Sequence, residues 1–375
     1  MHFTVIGAGA IGGTVGAHLV RGGHEVVFVD RDRTHVDAIN SGGLTIEGRE
    51  TFTVRATAGP PDALRESVRG QIPDAVLLCV KAMHTAAAVD ALAPLLAPDN
   101  FVVSLQNGLN EKVIAARIGA ARTVGAFVNF GADYLEPGRV MYGGTGALYL
   151  GELNGTLSAR VQRLEDIFRT CVLPTTQATG NIWGFLWGKL GYGAMLFATA
   201  LVDASIADVL AYAPGRPMLA NLAAEVIRVA EAEHVRCEGF DGYEPAVYAF
   251  RQPRDWEGIA RSLDQLVAFN RKSLKQKSGV WRDLAVRKRR TEVDQQVGAV
   301  VETASARGLP APLNVRLVAL VHDLEDGSRA MSWQNLEELD AVNRRAYPDD
   351  TYQPQEIASA PSAPRNDTRT GDGSR

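Results

Sequence analysis

Gly7, Gly9 and Gly12 are spaced as G-x-G-x-x-G within "VIGAGAIGGTVG" (residues 5–16), and Asp30 follows eighteen positions after the last of them. The chemistry open to this pattern is the holding of a pyrophosphate. A first glycine permits a tight turn, a second lets backbone approach the phosphates, and a third lets a helix pack closely on a strand. Gly7, Gly9, Ala10, Ile11 and Gly12 are the candidate cofactor contacts, with unpaired N–H groups and the positive dipole end of a helix facing the anion. Asp30 is placed to accept hydrogen bonds from ribose hydroxyls and to repel a 2′-phosphate, which favours NAD(H) slightly. Arg31 and the nearby Arg33 are placed to pair with that phosphate, so NADP(H) stays open.

Lys81 and Asn107 each follow a run of apolar residues, "VLLCV" and "FVVSL". Ligands of open α/β sheets gather at the carboxyl ends of strands. Lys81 there faces a ribose or a substrate carboxylate, and the Asn107 amide faces a nicotinamide. An exposed lysine and an ordinary asparagine turn account for the two residues equally well.

The elements that must position these groups can be read from periodicity. "HFTVIG" and "EVVFVD" are strand-like, with a helical pattern over residues 11–21 between them and Gly22-Gly23 as its stop. "DAVLLCVK" and "FVVSLQNG" are further buried strands, separated by a helical pattern over residues 85–96. Near-continuous apolar strands alternating with helices imply a parallel sheet covered on both faces. Residues 124–150 contain adjacent strand-like runs separated by turn residues, which predicts an antiparallel edge to that sheet. Helical periodicity then dominates to about residue 346. The expected fold class is α/β: a Rossmann-type doubly wound sheet over residues 1–179, an all-α domain over 180–346, and a disordered tail over 347–375, rich in Ser, Pro, Gly, Asp and Arg.

Composition excludes several classes. The chain has 375 residues, 46% hydrophobic and 22% charged, with a formal net charge of -4. That balance offers no global attraction to nucleic acid or to an anionic membrane. Residues 190–202 are uncharged but too few to span a bilayer comfortably, so they read as a buried helix. Cys79, Cys171 and Cys237 are widely separated and odd in number, without metal-ligand spacing, as in a reduced, cytoplasmic protein. No metal site is expected.

With "GAGAIGG", "VKA" around Lys81, "QNGLNE" from Gln106, "GAFVNFGADYLEPG" from Gly125, "WGKLGYGAMLFATAL" and "RTEVD", the sequence resembles the ketopantoate reductase (2-dehydropantoate 2-reductase) family in order over roughly residues 1–340. The resemblance implies a cleft between a Rossmann domain and a helical domain, and hydride transfer from a nicotinamide cofactor to the carbonyl of a small 2-keto acid. It also makes a homodimer plausible. Position for position, it makes Lys189 the catalytic lysine and Glu292 its acidic partner, which orients the lysine or bonds a substrate hydroxyl. A lysine suits ketone reduction, because an ammonium stabilises the negative charge growing on oxygen and donates a proton to it. Lys189 also stands at the head of an apolar run, directly after Trp183 and Trp187.

The family pattern places asparagines four and eight residues after its lysine; here Gly193 and Phe197 stand there, leaving a roomier, more apolar face. Tyr192 either supplies a replacement hydroxyl or packs in the core. The substrate is therefore expected to diverge from ketopantoate. The resemblance also points to Lys277, Ser278 and Arg282 as a candidate grip on a substrate carboxylate. The basic run at 287–290 reads as a solvated face or an interdomain contact. Thr291 and Asp294 fit a capping box, Asn314 fits an N-cap, and the extra length over 237–258 fits a lid or an oligomer contact. Two alternatives stand beside the reductase: oxidation of a hydroxy or amino acid in the reverse direction, and a dinucleotide sensor with a decayed site.

Overall fold

The computed structural model describes residues 1–68, 74–273 and 275–350. Ten strands form one sheet: β1 (His2–Ile6), β2 (Glu25–Val29), β3 (Leu44–Gly48), β4 (Phe52–Val54), β5 (Thr57–Gly59), β6 (Ala75–Leu78), β7 (Phe101–Ser104), β8 (Thr123–Glu136), β9 (Arg139–Glu152) and β10 (Thr176–Ala178). Their order is β4-β3-β9-β8-β7-β6-β1-β2-β5, with β10 also paired to β9. The run from β5 through β1 to β8 is parallel, as the apolar strands predict. β6 and β7 are buried along their whole length.

The antiparallel pair of residues 124–150 is present as β8 and β9, in register from Val124 opposite Glu152 to Glu136 opposite Arg139. It does not lie at the edge of the sheet. β3 covers β9 over Arg139–Tyr142, and β10 covers it over Leu148–Leu150. β3, β4, β5 and β10 escape the periodicity because they are short and interrupted by polar residues or glycine, without the continuous apolar run that marks β6 and β7.

Beyond Ala178 the described chain is helical. The helix Ile182–Thr199 is apolar on nearly every side, and all but four of its eighteen residues are buried. A helix of that kind belongs inside a core. It packs on Arg216–Ala232, and its cluster takes in Leu109 and Phe127 from the sheet half, which makes the interface between the halves continuous. Among the described residues no helix is long and apolar enough to cross a membrane.

Three local expectations are corrected. Thr291 does not open a capping box: its hydroxyl and its N–H both donate to Glu325 at 2.7 Å. Asp294 instead pairs with His322 at 2.9 Å, and the segment Asp294–Gly298 is a π-helix. Asn314 is not an N-cap either. It lies inside Pro312–Glu325, whose Leu313 and Asn314 N–H groups are capped from a distance by the Glu225 carboxylate at 3.0 and 2.9 Å. The residues expected to start the tail are anchored, since Tyr347 donates to Glu225 at 2.8 Å and Asp350 lies 3.5 Å from Arg254. The rest of the expected tail, from 351, falls outside the described residues.

Candidate active site

The carboxyl ends of four adjacent strands carry the groups singled out from the sequence. β7 leads to Asn107, β6 to Lys81, β1 to the glycine-rich turn and β2 to Asp30. Gly7 has φ +94°, and a Cβ there would come within 2.9 Å of the Cys79 and Val80 backbone. A Cβ on Gly12 would collide with the Gly7 carbonyl oxygen. Gly9 differs, because no atom lies within 4 Å of its ideal Cβ position. It precedes the helix Ala10–Arg21, whose N-terminus has no side-chain cap. The turn is thus tight where strand and helix meet and open where a phosphate would lie, with free N–H donors aimed into the opening. These residues fit a dinucleotide.

The Asp30 carboxylate accepts from the Ala8 N–H at 2.7 Å and the Asp32 N–H at 2.9 Å, which fixes it beside the turn. Arg31 donates to His84 Nε2 at 3.1 Å. Burial and the Arg31 charge hold that imidazole below its ordinary pKa. Arg33 is taken by Asp62 at 2.6 Å.

Lys189 projects from the buried helix towards the sheet. Its ammonium donates to Asn107 Oδ1 at 2.7 Å and to the Val128 carbonyl of β8, and lies 5.3 Å from the centre of the Phe127 ring. Burial pushes its pKa down to about 8, with the Glu292 charge acting in the opposite direction. Trp187, two residues before it in sequence, is a core residue at 1% exposure rather than a wall of the site.

Glu292 does not bond Lys189. One carboxylate oxygen accepts from Lys81 at 2.5 Å and the other from the Ala82 N–H at 2.8 Å. Lys81 also lies 3.3 Å from Asp283. The sheet half and the helical half are therefore tied through a lysine that the sequence left undecided.

The three candidate carboxylate ligands are brought near one another but are each engaged. Ser278 caps the helix Gly279–Ala285 by accepting from the Trp281 N–H at 3.1 Å. Lys277 pairs with Asp203, its ammonium 4.3 Å from the Trp281 ring centre. Arg282 pairs with Asp133 of β8, which also takes Arg287 at 3.2 Å. Arg287 and Arg289 further share Asp283, and Arg290 pairs with Glu325 and Asp326, all in the helical half, so most ion pairs of the basic run stay within that half and Arg287 carries its contact to the sheet through Asp133.

Gly193 leaves space one turn along from Lys189, with Gln296 Oε1 at 3.7 Å from the position a Cβ would take. Phe197 is buried in the core at 1% exposure. The Tyr192 hydroxyl accepts from Asn270 at 2.9 Å, in the interior.

Asp241 was missed by sequence reasoning. It comes from the extra stretch at 237–258, which starts against the lysine helix where Gly184, Gly188 and Gly191 leave room for Arg236, Glu238 and Tyr243. Asn129 of β8 donates to Asp241 at 2.6 Å, and burial raises the carboxyl above its ordinary range while Lys189 opposes the rise. The Asp-Gly pair at 241–242 was the available signal.

The ketopantoate reductase PanE/ApbA model matches residues 3–155, and the ketopantoate reductase PanE/ApbA C-terminal model matches residues 181–325. The 2-dehydropantoate 2-reductase of Halobacterium salinarum is 30% identical, over 86% of this chain and 98% of that one. The Pyrococcus horikoshii enzyme of the same name is 29% identical, over 86% and 96%. A PanE/ApbA family ketopantoate reductase from Ralstonia eutropha has 27% identity and a TM-score of 0.72, covering 88% of this chain and all of that one. The fold is shared as well with a D-mandelate dehydrogenase solved with NADH and anilino(oxo)acetate, at 23% identity and a TM-score of 0.75 over 87% of this chain and 99% of that one. With both family models matched in order across the sheet and helical halves, this chain belongs to the ketopantoate reductase family.

Proposed function

We propose that this chain is an NAD(P)H-dependent reductase of a 2-keto acid, with residues 1–179 holding the cofactor and residues 180–346 supplying the catalytic lysine. The observation that carries the reading is the engagement of Lys189. An ammonium has three donors, and two of them are fixed on Asn107 and the Val128 carbonyl. The third remains for a substrate oxygen, and a pKa of about 8 suits a group that must give up its proton near neutral pH.

Gly7, Gly9, Ala10, Ile11 and Gly12 would hold the pyrophosphate of the dinucleotide, and Asp30 the adenosine ribose. The bound cofactor supplies a hydride to the substrate's carbonyl carbon. Lys189 stabilises the charge that develops on the carbonyl oxygen and delivers a proton to it. Asn107 keeps the ammonium in place and retains its own NH₂ for the nicotinamide end. Glu292 acts through Lys81 and the Ala82 N–H, holding the halves together, and its charge keeps Lys189 protonated to higher pH. Reverse oxidation of a hydroxy acid uses the same groups.

NAD(H) is the favoured cofactor in this reading, because a fixed carboxylate at Asp30 opposes a 2′-phosphate while Arg33 is spent on Asp62. The space at Gly193 favours a substrate bulkier or more apolar beside its carbonyl than ketopantoate. The test is loss of absorbance at 340 nm with NADH or NADPH against a panel of 2-keto acids, with Lys189→Ala as control. Turnover that disappears in the control supports the reading. Tight cofactor binding without turnover in either direction leaves the dinucleotide sensor instead.

A further inference from the structure

The carboxylate of a 2-keto acid needs a cation, and the candidates chosen from sequence are occupied: Lys277 by Asp203 and Arg282 by Asp133. One cation against the same strand, β8, differs. Lys275 donates to the Ala132 carbonyl at 3.3 Å, and among the described residues no carboxylate oxygen lies within ion-pair distance of it. The other basic groups around it are matched, Lys81 by Glu292 and Asp283, and Arg287 by Asp133 and Asp283.

The strand beneath it explains where this ammonium points. β7 is paired to β8 only as far as Gly125, so beyond that residue one side of β8 has no strand beside it among the described residues. Its carbonyls there are free for side chains. Lys189 takes Val128 and Lys275 takes Ala132, four residues along on the same side, with a bulge between Phe130 and Ala132. The two ammonium groups are close enough that Lys275 lowers the proton affinity of Lys189.

We propose that Lys275 binds the carboxylate of the substrate and so turns the adjacent carbonyl towards Lys189. This rests on the reductase reading above. A lysine with one long hydrogen bond and no counter-ion has donors to spare for an anion. Burial holds it below its ordinary pKa, so an arriving carboxylate relieves an existing electrostatic cost. Asp133, whose charge favours the Lys275 ammonium, is itself paired with Arg282 and Arg287 rather than with Lys275.

The experiment uses the full chain with reduced cofactor, 2-keto acids, and matched neutral ketones in which the carboxylate is replaced by a primary amide. Lys275→Gln should raise KM for the keto acids by about 10- to 100-fold, the order expected for a lost charge-assisted hydrogen bond. Its kcat should stay within about threefold, its KM for the amides should not move, and Lys272→Gln, at an exposed lysine ending the helix Trp256–Lys272, should leave both substrates unaffected. Lys275→Arg should recover most of the affinity, and a wild-type circular dichroism spectrum excludes misfolding as the cause. An unchanged KM for keto acids in Lys275→Gln overturns the proposal and leaves the reductase reading standing. Absence of any wild-type turnover overturns the reductase reading, and calorimetry with oxamate on cofactor-loaded protein then decides about Lys275. Weaker oxamate binding in Lys275→Gln supports it; equal binding, or none by the wild type, overturns it.

Discussion

Lys81 and Glu292 are 211 residues apart in sequence and 2.5 Å apart in space. The lysine ends a central strand and is partly exposed, whereas the carboxylate is buried and also accepts the Ala82 N–H. Removing one partner of such a pair costs more than removing both, because the survivor stays desolvated without a counter-charge. Lys81→Met should destabilise the chain by about 3 kcal/mol, the lower end of the range for buried pairs. Lys81→Met with Glu292→Met should be less harmful than either change alone. Urea unfolding of the three variants measures both effects.

Lys189 should set the upper pH limit of carbonyl reduction. Its pKa lies at about 8, and the protonated form is the acid that reduction consumes. The rate should therefore fall as pH rises through about 8, while oxidation in the reverse direction, which needs the neutral amine, should gain over the same range. Lys189→Ala should lower kcat by 10²- to 10⁴-fold, the usual contribution of a positioned acid, and should remove that pH dependence. Steady-state rates between pH 6 and 10 test both parts.

The glycines of the turn should separate folding from binding. Gly12→Ala drives a methyl group into the Gly7 carbonyl and should lower the unfolding midpoint. Gly9→Ala meets nothing in the protein, so stability should be unchanged while cofactor affinity falls by roughly tenfold, since the methyl occupies the phosphate approach. Titration of the cofactor by its fluorescence, beside urea curves, distinguishes the two outcomes.

Glu111 lies fully buried, and burial pushes its pKa up to about 8 against the smaller opposing effects of its own backbone N–H and the Ser104 hydroxyl. A folded-state value above the unfolded one means that folding takes up a proton. Its contribution is complete below about 4.5 and is lost as pH rises through about 8. Glu111→Gln should flatten that loss, so the variant should gain on the wild type at pH 8.5 relative to pH 5.5. Chemical unfolding at those two pH values gives the answer.

What could be read from the sequence was what depends on a few consecutive residues. The turn at Gly7–Gly12 was legible because backbone conformation and close packing dictate glycine locally, and β6 and β7 because both faces are apolar. Lys189 and Glu292 stood out only through family resemblance, and even then their partners did not. That Lys189 would bond Asn107, that Lys81 would hold Glu292, and that Asp133 would draw Arg282 away from a substrate are facts of chain crossing, with separations of 82, 211 and 149 residues. No spacing rule reaches that far. Asn314 shows the same limit in reverse: it has the residue type of an N-cap, but the cap is Glu225, on another helix.

The ten-stranded sheet terminates in β4 and β5, and its side branch is β10; each has three residues. So short a strand presents only one or two outward N–H and C=O groups to a second chain, too few to template a further strand. The fourteen-residue β9, which would be an inviting template, is covered on its outer side at both ends. Strand addition at those edges is thereby disfavoured. A strand from a second chain would instead have to meet β8 beyond Gly125, where Lys189 and Lys275 of the helical half already hold the Val128 and Ala132 carbonyls.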